Sequence, residues 1–134
     1  MKKLLLILIC LIYSSNCFGK NKWEFLVSGE ESTLFFDTSN ITPYLKYENS
    51  FNVDVLENYE IQSVQSNSSV YNYGINCNEH KFQIVHSILY SEKMGKGKVI
   101  DKGYIEGELK GKWFTPIQGS MSDVLVSVVC KYFR

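Results

Sequence analysis

The sequence predicts a small mixed α/β domain closed by one disulfide, and three observations carry that reading. Six runs between Trp23 and Ile105 are rich in aromatic and β-branched residues and are separated by polar or glycine-containing turns. A segment near the end, from about Met121 to Val129, places apolar residues at helical spacing. Of four cysteines, two fall in an N-terminal leader, and Cys77 and Cys130 remain as an even pair.

The leader is read from its three parts. Met1-Lys2-Lys3 is a short basic start, Leu4 to Ile12 is apolar without a charge, and Ser14 to Gly19 turns small and polar. This is the layout of a secretory signal. The apolar run is too short to span a bilayer, which takes about 20 residues. Gly19, with Cys17 two places before it, satisfies the small-x-small rule, so the cut is expected after Gly19 and the mature chain at Lys20. A lipoprotein cut before Cys17 competes with this. Asn16 and Ser14, however, occupy places where lipid-modified cysteines normally have a small and an aliphatic residue. Residues 1–19 are therefore expected to be a signal peptide and residues 20–134 one domain. Removing Lys2 and Lys3 from 14 basic residues leaves 12 against 14 acidic ones, a net charge of −2. That balance excludes the basic excess of a nucleic-acid binder.

The elements follow in order. Trp23–Val27 and Thr33–Asp37 read as two strands joined by the Ser28–Ser32 turn. Asp37 to Pro43 is rich in side chains that bond their own backbone and reads as a turn or a single helical turn. Phe51, Val53 and Val55 alternate with Asn52, Asp54, Leu56 and Asn58, a third strand with one wet face. Gln62 to Asn67 is a polar loop. A fourth strand starts at Val70 and approaches Cys77. Asn76 to His80 is a turn or a bulge. Lys81–Tyr90 is a fifth strand, with Phe82, Ile84, His86, Ile88 and Tyr90 on one face. Gly95-Lys96-Gly97-Lys98 reads as a flexible basic turn, and Val99–Ile105 as a sixth strand. Gly107–Lys112 is a second glycine- and lysine-rich loop, and Trp113–Ile117 is extended.

At the tail, Ser120 and Asp123 suit an N-cap and an acidic third position. Met121, Val124, Leu125, Val128 and Val129 keep helical spacing, whereas Val124, Val126 and Val128 also alternate as a strand would. The helical reading is preferred. Ideal spacing sets Cys130 opposite Met121, so the helix is expected to end or tighten there. In an oxidising compartment Cys77 and Cys130 have one intramolecular connectivity. Closing that loop is worth roughly 4 kcal/mol on the chain-entropy account.

The order of landmarks resembles the surface-adhesin protein E family of bacterial envelope proteins. The residues that carry the likeness are Trp23, the segment Leu34-Phe35-Phe36-Asp37-Thr38-Ser39-Asn40-Ile41, Asn76-Cys77, Tyr90, Met94 to Ile100, Trp113 to Ile117, Gly119-Ser120 and Cys130. The resemblance implies an α+β fold: an antiparallel sheet of about six strands, with the terminal helix packed on one face and tied to it by Cys77–Cys130. There are departures. Asn78-Glu79-His80 stand before Lys81 where basic residues are common, and Gln83 stands where arginine is expected. The spacing from Pro116 to Ser120 is also looser. The resemblance further implies an exported protein of the periplasm or outer surface that binds without catalysis. Its expected partners are host extracellular-matrix proteins or sulfated glycans, with a homodimer left open and no cofactor. A periplasmic structural or accessory module without a host ligand is the alternative.

Little else in the sequence suggests chemistry. Cys77, His80, His86 and Cys130 have donor types that zinc accepts, but oxidised cysteines are expected and no metal. Ser87 lies beside His86, but neighbours on a strand point to opposite faces. Asp37, Asp54 and Glu57 are expected to be solvated, and no catalytic residue is assigned. Lys93, Lys96, Lys98 and Lys102 crowd ten residues, with Tyr90 and Tyr104 flanking them, and form the candidate ligand-binding set. Lysines that merely protect an edge strand explain the same cluster.

Overall fold

The computed structural model describes residues 22–61 and 66–133. The expected signal peptide, its cut after Gly19, the competing lipid site at Cys17 and residues 62–65 of the expected loop lie outside the described residues.

Seven strands form one antiparallel sheet: β1 (Trp23–Ser28), β2 (Ser32–Asp37), β3 (Thr42–Pro43), β4 (Ser50–Tyr59), β5 (Ser68–Asn76), β6 (Lys81–Glu92) and β7 (Lys96–Tyr104). The main path runs β1-β2-β4-β5-β6-β7, and β3 pairs with β4 beyond the end of β2. The helix α1 (Met121–Tyr132) follows. This is the α+β architecture the resemblance implied. The seventh strand is the two-residue β3, set inside the stretch expected to be a turn. Its reach is fixed by Asp37, which is 1% exposed and accepts hydrogen bonds from the Lys22 and Ser39 amides. A carboxylate expected in solvent is instead the anchor of the turn that leads β2 into β3.

One face of the sheet carries the core. Leu34 and Phe36 of β2, Val53 and Val55 of β4 and Ile75 of β5 pack against Leu125, Val126 and Val129 of α1. Burying apolar area of this kind is worth about 25 cal/mol per Å². Cys77, just after β5, is bonded to Cys130 on the helix, with their Cα atoms 5.5 Å apart and a sequence separation of 53.

The helix differs from expectation in two ways. It continues through Cys130 to Tyr132 without ending at the cysteine. Its buried stripe is Leu125, Val126 and Val129, whereas Val124 and Val128 are only half-buried. Both have one cause. At about 100° per residue, that stripe lies midway between Met121 and Cys130, so these two occupy its opposite flanks. Met121 reaches Gly29 after β1, and Cys130 reaches Cys77 after β5. Opposite faces are what a helix needs when it lies across a sheet and is held on both sides. Ser120 caps the first turn by accepting from the Asp123 amide at 3.3 Å, as its sequence position predicted.

The other face is drier than the alternation in β4 suggested. Leu56 is fully buried and Asn58 is 6% exposed. What covers them is a single 3₁₀ turn, Lys93–Gly95, between β6 and β7. Asn58 accepts from the Met94 amide at 2.8 Å, and Ser68 accepts from the Gly95 amide at 3.0 Å. Gly95 has φ +64°, and a Cβ there would meet Val70 at 3.4 Å. The backbone therefore approaches the sheet as only glycine readily allows.

In β6 the expected single face is split. Tyr73 pairs with Ile84 and Asn72 with His86, so Val85 is a β-bulge. Phe82 packs against the helix-side core, whereas Tyr90 lies on the opposite side, against the Lys93–Gly95 turn. The Asn76–His80 segment, left open between turn and bulge, is a turn, and Asn76 accepts from the Asn78 and Glu79 amides.

Candidate functional site

The lysines divide into two groups. Lys93 belongs to the 3₁₀ turn, and its ammonium lies 3.1 Å from Glu60. Lys96, Lys98 and Lys102 belong to β7, which is exposed along its whole length and forms one edge of the sheet. The expected flexible basic turn is thus a folded-back turn followed by a strand. The lysines do not crowd one point. They are spaced along a stripe roughly 25 Å long at about 3.3 Å per residue, ending at Tyr104. Among the described residues Lys96, Lys98 and Lys102 make no ion pair. The two expected tyrosines are far apart on this stripe. Tyr90 pairs with Val99 in the ladder, and Tyr104 stands at the end of β7 with its ring 5.0 Å from His86.

Sequence reasoning missed what lies beyond Tyr104. Where β7 ends, the Ile105 amide donates to the carbonyl of the bulged Val85 at 3.0 Å. The detour opens a hollow of about 360 Å³ lined by residues that include Tyr44, Gln83, Tyr104, Glu106 and Lys110. Gln83 is 3% exposed, and its amide donates to the Tyr44 hydroxyl at 3.1 Å. Beside it, Tyr44, Tyr47 and Trp113 form an aromatic cluster, with Tyr47 and Trp113 edge to face at 5.3 Å. The signal in the sequence was Gln83 itself, a polar residue at the position where the resemblance led to arginine.

The other candidate groups are engaged within the fold. Cys77 and Cys130 are bonded to each other, and among the described residues no group of three or more His, Cys, Asp or Glu could hold a metal ion. His80 donates to Asp123 at 2.7 Å, tying the β5–β6 turn to the start of α1. That bond, with a second from the Gly119 amide, holds the Asp123 carboxyl below the usual carboxylate range. Glu57 accepts from Ser32 at 2.7 Å, and Asp54 accepts from Asn72 at 2.9 Å. Burial raises the hydroxyls of Tyr59 and Tyr73 well above the ordinary tyrosine range, the wrong direction for a nucleophile or a base near neutral pH.

No helix among the described residues is long and apolar enough to cross a membrane. A search of curated proteins by sequence finds no match. Solved structures do match in fold. Crystal form II of Haemophilus influenzae protein E aligns with a TM-score of 0.62 at 14% identity, over 87% of this chain and 94% of that one. Another structure of Haemophilus influenzae protein E gives 0.60 at 13%, over 85% and 87%. Protein E from non-typeable Haemophilus influenzae gives 0.58 at 13%, over 87% and 80%. At such identities the likeness concerns the fold. The sequence profile described as surface-adhesin protein E matches residues 23–131, from the first strand through the disulfide-bonded helix, and the chain belongs to that family.

Proposed function

We propose that this chain is exported through a signal peptide over residues 1–19, and that the mature protein binds host extracellular-matrix proteins or sulfated glycans without catalysis. The supporting observation is β7: an edge strand exposed at every position, with Lys96, Lys98 and Lys102 free of acidic partners among the described residues. Membership of a surface-adhesin family supports the same reading. The whole molecule is not basic, so attraction to an anionic partner must come from this local stripe.

The test is retention on immobilised heparin. The Debye length falls from about 10 Å at 0.1 M salt to about 3 Å at 1 M, so retention should fall across that range. The double variant Lys96→Glu/Lys98→Glu should bind about tenfold more weakly or worse at low salt, with an unchanged circular dichroism spectrum. If a folded double variant is retained like the wild type, the lysines only guard an edge strand. The accessory-module reading then replaces this one.

A further inference from the structure

We propose that the hollow at the end of β7 is a second binding site, one that takes the pyranose ring of a glycan. The inference rests on reading the chain as a binding protein, but not on the lysine stripe. Three features of the fold build the hollow. The Val85 bulge turns the chain aside and receives the Ile105 amide. Gly74, directly across the ladder from Gln83, makes room for that side chain: a Cβ at Gly74 would lie 3.0 Å from the Gln83 Cγ and 3.1 Å from its Nε2. Tyr44 then fixes one end of the Gln83 amide. Among the described residues the Gln83 carbonyl oxygen has no hydrogen-bond partner, yet no buried side-chain polar atom is left unpaired. Gln83 lines the hollow, so that oxygen is the free acceptor the side chain brings to it, and the Tyr44 bond and the close approach to Gly74 restrict the side chain's movement.

The chemistry of the lining selects the ligand. A pyranose has faces of C–H bonds and a rim of hydroxyls that both donate and accept. Tyr104, 74% exposed, and Tyr44 are the two aromatic residues of the lining. Gln83, Glu106 and Lys110 also line it, residues whose side chains carry an amide, a carboxylate and an ammonium. Pockets that combine apolar walls with a few fixed polar groups are the usual form of small-molecule sites. About 360 Å³ is at the small end of their range of about 300–1,000 Å³. A lipid chain would strand the three polar groups. Glu106 and Lys110 cancel in charge, so this site, unlike the stripe, should bind without help from electrostatic steering.

Saturation-transfer NMR on the mature protein tests it. The probes are methyl glucoside, methyl galactoside, N-acetylglucosamine and glucuronic acid, each at 0.1 M and 1 M salt. Transfer to the ring protons of at least one probe is expected, undiminished at high salt. Tyr104→Ala, a change at an exposed residue that should leave the fold intact, should weaken it about tenfold, the scale of one aromatic stacking contact. Lys96→Glu/Lys98→Glu should leave it unchanged. Absence of transfer from every probe overturns the proposal, as does transfer that survives Tyr104→Ala undiminished. Failed heparin retention with pyranoside binding intact would remove the lysine reading alone.

Discussion

Single residues in this protein hold positions that their polarity alone does not announce. Asp37 and Gln83 are both polar and both nearly fully buried, each because a neighbour makes room and supplies a partner. Gly74 is the residue on which Gln83 depends. Gly74→Ala should destabilise the fold by about 1–3 kcal/mol through overpacking, measured by urea denaturation. The added methyl meets the Gln83 Cγ, well inside the side chain, so a rotation of the amide tip cannot relieve it. In combination with Gln83→Ala the cost should be clearly less than the sum of the single changes, since the two act on the same contact. An additive double variant would show that the strain lies in the backbone.

At the scale of elements, the helix shows best how far pattern reading reaches. Val126 is fully buried and Val124 half-buried, so Val126→Ala should cost about 2 kcal/mol and Val124→Ala distinctly less, by thermal or urea unfolding. Equal losses would place the stripe where the i, i+3, i+4 pattern set it. That pattern found the helix, its Ser120 cap and the strands from Trp23 to Tyr104 other than β3, because local alternation and capping are written in neighbouring residues. It misjudged the helix rotation, because Met121 and Cys130 are claimed by different strands far off in sequence. The dry side of β4 was hidden for a similar reason. Leu56 and Asn58 are covered by a turn 36 residues further along, and nothing near them foretells it. The Val85 bulge erased the expected common face of β6, since one extra residue reverses every side chain after it. The lysines were legible as a group, but their arrangement along a strand depended on where the turn closed. The hollow depended on the bulge, and Gln83 was the one trace of it in the sequence.

For the whole molecule, the cross-link between Cys77 and Cys130 is the largest single constraint. Cys130→Ala should lower stability by about 4 kcal/mol on the chain-entropy account, read from denaturant midpoints. Thiol titration of the denatured wild-type mature protein should find no free sulfhydryl; two would contradict the bond. The same linkage also sets how the molecule carries a pull on its two ends. Leu26 and Phe36 line a groove with Val128 and Phe133, so the first strand lies beside the end of the helix. Tension entering at Lys22 would travel along the backbone to Cys77, cross the sulfur bridge and leave from Cys130, which bypasses every residue between them. Gln83, Tyr90, Lys93, the β7 lysines, Tyr104, Glu106 and Lys110 all sit inside that closed ring. However far the rest were drawn out, the chain from Cys77 to Cys130 would stay slack and carry no share of the force, whereas Tyr44 and Gly74, outside that ring, would be pulled away from the hollow.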